Sequence, residues 1–239
     1  MITIPRGAEF HERIASSWDA RYERGGCRHR LGVFNSILDR SVIPGQCWLD
    51  LGCGSGVLTR ELVERGAHVV ALDGSPSMLR AARSSLDVLS SAPVTFRQGD
   101  AQDLSWAEPC AFDGVLCSSV VEYLDDQDKL LHQVSRVLKN DGVLIISVPP
   151  KGSLVRTAQK VLRRLLKLVG VQRYAYMEVS RFEIEPRVVV AWLGNANMHV
   201  DRISAFDPVL SKYLLTIFRP ALLVCEARKF EHGRNGAVV

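Results

Sequence analysis

Trp48-Leu49-Asp50-Leu51-Gly52-Cys53-Gly54-Ser55-Gly56 is the stretch on which the fold turns. A short apolar run leads directly into three glycines, and a helical pattern begins just after them, over Leu58–Arg65. Glycines at a strand-to-helix turn let the backbone approach a ligand closely, and the helix start offers unpaired N–H groups. The spacing is G-x-G-x-G with Val57 next, so the dinucleotide fingerprint G-x-G-x-x-G is not met. Asp50 stands two places before the first glycine. In a dinucleotide site that carboxylate would face a pyrophosphate; it suits a ligand end that carries an ammonium, directly or through water. A bare turn needs neither the acid nor all three glycines.

The same alternation continues outward. Cys47–Leu51, His68–Leu72, Val94–Gln98, Gly114–Cys117 and Val143–Val148 are apolar runs of strand length, while Leu58–Arg65, Ser77–Leu89 and Lys129–Leu138 carry apolar residues at helical spacing. Runs apolar throughout fit parallel strands covered on both faces, and strand alternating with helix predicts right-handed crossovers in a doubly wound α/β sheet. After the fifth strand the rhythm breaks. Lys151–Gly170 reads as one long basic amphipathic helix, and the close spacing of strand-like runs around Val200–Ser204 and Ala221–Arg228 predicts an antiparallel hairpin closing the sheet edge, before a loose tail over 232–239.

Composition narrows the class. The chain has 239 residues, suited to a single domain with a modest insertion, and 47% of them are hydrophobic, enough for a sizeable core. A net charge of +4 without one long basic tract argues against nucleic acid as a partner. Cys27, Cys47, Cys53, Cys110, Cys117 and Cys225 form no C-x-x-C pair, so neither a zinc site nor a disulfide framework is expected, and a reducing cytoplasm is the simplest setting. The opening residues do not form a secretory signal, and no apolar run approaches the roughly 18–20 residues that span a bilayer.

Two further strand ends complete the ligand reading. The second strand ends in Asp73, placed to accept both hydroxyls of a ribose. Gly74 and Ser75 begin the next turn, and Met78 either packs on an adenine or belongs to the core. After the third strand, Asp100 can accept an adenine amino group with Ala101 and Gln102 beside the ring; alternatively Asp100 or Asp103 caps a helix. A nucleoside without phosphate whose far end bears an ammonium is S-adenosylmethionine (SAM). The glycine loop, Asp73 and Asp100-Ala101 together resemble the class I SAM-dependent methyltransferases across about residues 45–150. That resemblance implies a Rossmann-like fold with a seven-stranded, mostly parallel sheet of order 3-2-1-4-5-7-6, strand 7 antiparallel, helices on both faces and a helical lid insertion.

A looser pattern covers most of the chain: Trp18, then Arg30-Leu31-Gly32, Val120-Val121-Glu122-Tyr123, Lys151-Gly152-Ser153-Leu154, and Phe182, Pro186 and Trp192-Leu193. It is similar to the bacterial ubiquinone-biosynthesis O-methyltransferases. The resemblance implies that Arg30 helps to hold the cofactor and that the helix after the fifth strand belongs to a lipid- or membrane-facing insertion. It also marks a departure. Where the family carries Glu-x-x-Glu-His, a cluster suited to a divalent metal, this chain has Ser119, Glu122 and Tyr123. One carboxylate cannot form a tight magnesium site alone, so no metal is expected and activity should survive EDTA.

An activated sulfonium methyl asks the protein mainly to align an acceptor, and orientation alone can supply about 7–11 kcal/mol. The acceptor should lie beyond the fourth and fifth strands, near Cys117–Tyr123 and Pro149–Lys151. Cys117 and Ser118, at the end of the fourth strand, are expected among the cofactor-binding residues. Tyr123, Lys151, Tyr174 and Tyr176 are candidate lining residues, although the last two also suit plain packing. Trp18 and Tyr22, from an N-terminal helical cover, join the cofactor-binding set; Tyr22 either covers the methionyl end or packs its own helix. No general base stands out. His11 and His29 in the cover and Tyr123 are the candidates; His132 reads as a surface residue, and His199 begins a late strand.

The insertion helix has apolar residues at 154, 158, 161, 162, 165, 168 and 169 and five cations, Arg156, Lys160, Arg163, Arg164 and Lys167, uninterrupted by acid. One expectation is a lid whose apolar stripe covers a pocket and whose basic face is solvated or recruits an anionic substrate. The other is a helix over 154–169 lying on an anionic membrane, with a peripheral location. The expected organisation is one methyltransferase domain: an N-terminal cover over 1–44, a cofactor core over 45–150, a lid or substrate insertion over 151–195 and a terminal strand pair over 196–231. The expected function is O-methylation of a hydrophobic or anionic small molecule. N-, C- or carboxyl methylation, or SAM binding without transfer, are the alternatives.

Overall fold

A computed structural model describes residues 6–12, 25–87, 93–168, 170–171, 174–210 and 213–230. The chain passes through α1 (Arg6–Glu12), α2 (Gly25–Ser41), β1 (Cys47–Leu51), α3 (Val57–Glu64), β2 (His68–Asp73), α4 (Pro76–Leu86), β3 (Val94–Gln98), β4 (Phe112–Cys117), α5 (Gln127–Val137) and β5 (Leu138–Val148). It continues through α6 (Leu154–Leu168), α7 (Val189–Gly194), β6 (Met198–Phe206) and β7 (Leu222–Lys229). All seven strands join one sheet of order β3-β2-β1-β4-β5-β7-β6, parallel except for the β5–β7 and β7–β6 pairs. The terminal pair is antiparallel and β7 lies between β5 and β6, as the expected order has it, but a connection over 207–221 joins β6 and β7 in place of a tight hairpin turn.

Side-chain alternation along the strands builds a core on each face. Leu49, Leu51, Val115, Cys117, Leu144 and Ile146 pack with Leu130, Leu131 and Val134 of α5 and with Leu193 of α7. On the other face Trp48, Leu116, Ile145 and Val224 pack with Phe34, Ile37 and Leu38 of α2 and Leu58 and Leu62 of α3. The packing of Trp48 depends on Gly114, because a Cβ there would collide with the indole. Local signals set the helix starts: Ser75 accepts from the Met78 N–H at 3.0 Å with Pro76 in the first turn, and Asp126 accepts from the Lys129 N–H at 2.9 Å.

The segment between β5 and α7 is an excursion closed at its base. Lys151 N donates to Ile184 O at 2.8 Å and Ile184 N to Pro149 O at 3.0 Å, so the chain leaves and returns at the end of β5. Within it α6 is inside out relative to a pocket-covering helix. Leu154, Val161, Leu162, Leu165 and Leu168 are exposed, whereas Arg156 and Arg163 are buried at 6% and 4% exposure. Four of the five cations pair with acids of the segment that follows: Arg156 and Lys160 with Glu183 at 3.3 and 2.6 Å, and Arg163 and Lys167 with Glu178 at 2.8 and 3.1 Å. The expectation that the apolar stripe covers a pocket is therefore corrected. Two acids distant in sequence draw the charged stripe inward, because a buried cation needs a partner. Val169 lies outside the described residues.

Candidate functional site

The carboxyl ends of β1, β2, β3 and β4 converge on the glycine loop. Gly52, Gly54 and Gly56 all have positive φ, at 70°, 54° and 83°. A Cβ on Gly52 would meet the Val120 side chain well inside contact distance. The loop is tied to β2: Gly52 N and Cys53 N donate to Leu72 O at 2.7 and 3.0 Å, and Gly54 N donates to Asp73 Oδ2 at 2.9 Å. Asp73 Oδ1 accepts from Ser75 N at 2.8 Å. Each oxygen thus accepts from the backbone, and lone pairs remain for ligand hydroxyls. Burial raises the Asp73 carboxyl above its ordinary range, against hydrogen bonds from Ser75, Gly54 and Gly74.

Two further features suit a polar ligand end. Among the described residues no side chain caps α3, which leaves the first N–H groups of that helix to face an anion such as a carboxylate. Ser55, 1% exposed, has a hydroxyl without a hydrogen-bond partner among the described residues. Asp50 alternates with the apolar residues of β1 onto the α2–α3 face and accepts from Thr59 Oγ1 of α3 at 2.6 Å. Its burial pushes the carboxyl up to about 7, with Asp73 adding to the rise and the Thr59 bond opposing it. The folded chain then holds a proton that the unfolded chain, at 3.8, gives up. The resulting stabilisation is full below that lower value and is lost as pH rises to about 7. Asp50→Asn should remove this loss, so that without ligand its melting temperature exceeds that of wild type at pH above 7 and matches it near pH 4, as calorimetry at the two pH values will read.

Beyond β3, Asp100 Oδ1 accepts from Gln102 N at 2.9 Å and Asp103 Oδ1 from Ser105 N at 3.1 Å. Both close turns, and no helix follows for either to cap. Gln102 Oε1 accepts from Asp126 N at 2.9 Å, linking this turn to the start of α5. Ala101 and Met78 are buried, Met78 at 1% exposure within α4.

A buried polar cluster follows β4. Arg30 donates to Ser118 Oγ, Ser119 N donates to Ser147 Oγ at 2.8 Å, and the turn Val121–Tyr123 carries Glu122. The Glu122 carbonyl accepts from Arg181 N at 2.8 Å, which sews the returning excursion to this turn. Burial raises the Glu122 carboxyl, opposed by its own backbone, Arg156, Arg30 and Ser119. The His11 ring meets Tyr123 edge-on at 4.9 Å, and Tyr176 OH donates to Gln159 at 3.1 Å. Burial drives the Tyr123 phenol well above its ordinary value, so Tyr123 stays protonated and is a poor base.

The other expected residues scatter. His29 is exposed and packs on Phe206 at the far sheet edge, His132 is exposed, and Lys151 is exposed with its carbonyl taken by Arg219 Nη1 at 2.8 Å. Tyr174 precedes the turn Ala175–Glu178 with a left-handed backbone. Trp18 and Tyr22 lie outside the described residues. Glu12 carried no sequence signal: it accepts from Ser75 Oγ, Ser77 N and Ser77 Oγ, fixing α1 over the start of α4. Arg156, which sequence spacing placed only on a basic stripe, donates to Ser180 Oγ at 2.8 Å in the interior.

Residues 49–146 match the family model of a methyltransferase domain. The chain is similar to a ubiquinone biosynthesis O-methyltransferase of Xanthomonas campestris pv. campestris, 31% identical over 201 residues that cover 80% of this chain and 79% of that protein. It belongs to the class I SAM-dependent methyltransferases. A second ubiquinone biosynthesis O-methyltransferase, from Hahella chejuensis, is 30% identical over 216 residues, covering 87% of each chain. The fold also matches the magnesium protoporphyrin IX methyltransferase of Synechocystis with bound SAH, at a TM-score of 0.67 and 20% identity over 93% of this chain and 99% of that one. SAM is thus the methyl donor of this methyltransferase, and the open α3 start with the orphaned Ser55 hydroxyl fits a ligand bearing a carboxylate.

Proposed function

We propose that the methyltransferase moves the SAM methyl group to an oxygen of a small hydrophobic acceptor held between α1, the Val121–Tyr123 turn and the returning segment 174–184. The observation that carries this is the polar cluster around the buried Glu122, which sits beyond the end of β4, beside the glycine loop, with the His11 ring packed on the neighbouring Tyr123. The two relatives named as O-methyltransferases support oxygen as the methylated atom. SAM supplies an activated methyl group. In this reading Asp73 holds the ribose hydroxyls, Asp50 the methionyl ammonium, the α3 start and Ser55 the carboxylate, and Asp100-Ala101 the adenine. Arg30 fixes Ser118 at the junction of cofactor and acceptor. Incubating the protein with cell extract and methyl-labelled SAM, followed by mass spectrometry, should yield a labelled product whose label resists hydrolysis and sits on oxygen. Label on nitrogen or carbon would move the acceptor class.

The outward apolar stripe of α6 favours a second element of this proposal, a peripheral contact with membrane through which a hydrophobic acceptor arrives. Among the described residues no helix is long and apolar enough to cross a membrane. Each leucine that leaves water can contribute about 1.5–3 kcal/mol. Four of the five cations of this helix already pair with Glu178 or Glu183, so binding should depend on the leucines more than on salt. Co-sedimentation with phosphatidylglycerol vesicles should be lost in the double variant Leu165→Asp, Leu168→Asp while SAM affinity is kept. Wild-type protein that stays in the supernatant at physiological salt would remove the membrane from the account.

A further inference from the structure

Glu122 is the one acid of the site whose chemistry is left unused. It is 3% exposed, and its Oε2 has no hydrogen-bond partner among the described residues. A buried carboxylate oxygen in that state costs free energy unless a ligand supplies the missing hydrogen. Among the described residues none of the groups around it supplies one: Arg30 donates to Ser118, Arg156 to Ser180 and Glu183, and Ser119 bonds the carboxyl without reaching Oε2. Cys117, also buried, and Tyr123 interact with it only at a distance, and His11 and Tyr176 stand beyond Tyr123. Two guanidinium groups nearby keep an ionised Glu122 tolerable, while nothing occupies its open lone pairs. Among the described residues no three His, Cys, Asp or Glu side chains gather as they would around a metal ion.

We propose that Glu122 is the proton acceptor for the acceptor hydroxyl: its Oε2 receives the hydrogen bond of a neutral phenol or enol and takes that proton as the methyl group transfers. This rests on the oxygen-acceptor reading given under the proposed function. In the step, the acceptor O–H bond breaks to Glu122, an O–CH3 bond forms, and the S–CH3 bond of SAM breaks with its electron pair returning to sulfur. The products are the methyl ether, S-adenosylhomocysteine (SAH) and protonated Glu122, which loses its proton to water. No ion or further reactant is needed.

The test compares Glu122→Gln with wild type on catechol, whose hydroxyls stay neutral at slightly alkaline pH, and on 4-nitrocatechol, which is already ionised there, with EDTA present throughout. The expected result is a fall in kcat of about 100-fold or more with catechol, the usual scale for lost proton transfer. Turnover of 4-nitrocatechol should be little changed, and the affinity for SAH, read by calorimetry, should be intact. The acid limb of the wild-type catechol pH profile should also vanish in the variant. Equal loss on both phenols, or no loss on either, overturns the assignment of Glu122 alone. Loss of wild-type activity in EDTA with rescue by magnesium overturns it as well, because the carboxylate would then serve an ion. If the wild-type protein methylates neither phenol, the oxygen-acceptor reading fails and takes this inference with it.

Discussion

Asp73→Ala is expected to weaken SAM binding by roughly 10- to 150-fold, the loss that follows from removing hydrogen bonds to a charged group worth about 1.5–3 kcal/mol. The size of the effect has two sources. The carboxylate is placed to receive the ribose hydroxyls, and it also fixes the backbone on both sides of the cleft, through Gly54 N and Ser75 N. Asp73→Asn keeps one acceptor oxygen and should lose less. Titration calorimetry of the two variants against wild type measures the difference, and equal affinity in wild type and Asp73→Ala would take Asp73 out of the site.

Gly52→Ala should damage both the packing and the backbone of the glycine loop. The new Cβ would have to share space with Val120, and alanine would have to adopt a φ of 70°. The left-handed conformation costs about 1–2 kcal/mol and overpacking typically 1–3 kcal/mol. A total of roughly 3 kcal/mol lowers the melting temperature by about 6–12 °C in a chain of this size. Because Val120 leads into the turn that carries Glu122, the same change should disturb both halves of the site, so SAM affinity and turnover fall together. A thermal scan and a SAM titration of the purified variant check this. Unchanged values would mean that the loop has room the packing around Val120 denies.

Much of this architecture could be read from residues in order. Central strands covered on both faces are apolar runs, and the predicted Cys47–Leu51 matches β1 residue for residue, as Val94–Gln98 does β3, an edge strand that alternates half-buried and exposed residues. The glycine loop and Asp73 come together because each ends a strand of a parallel sheet, where strand ends share one edge. The direction of α6 was not legible. Periodicity separates its apolar stripe from its basic stripe but does not say which one meets the protein. Glu178 and Glu183 decide that from outside the helix. The acceptor side was legible only in part for the same reason. Arg30, Glu122 and Arg156 belong to α2, the turn after β4 and α6, and only the returning excursion, tied to the Glu122 carbonyl through Arg181, assembles them. Glu12 shows the limit again, since an acid at the end of a seven-residue helix gives no hint that it will seat on Ser75 and Ser77 of another.

The placement of the cofactor site is the centre of this account, and hydrogen exchange with and without saturating SAH tests it most directly. Protection on binding is predicted in peptides covering Leu49–Val57, Asp73–Leu79 and Gly99–Leu104, the ends of β1, β2 and β3, with α6 left unchanged. Protection that skips the glycine loop, or that is confined to the excursion between β5 and α7, would contradict it.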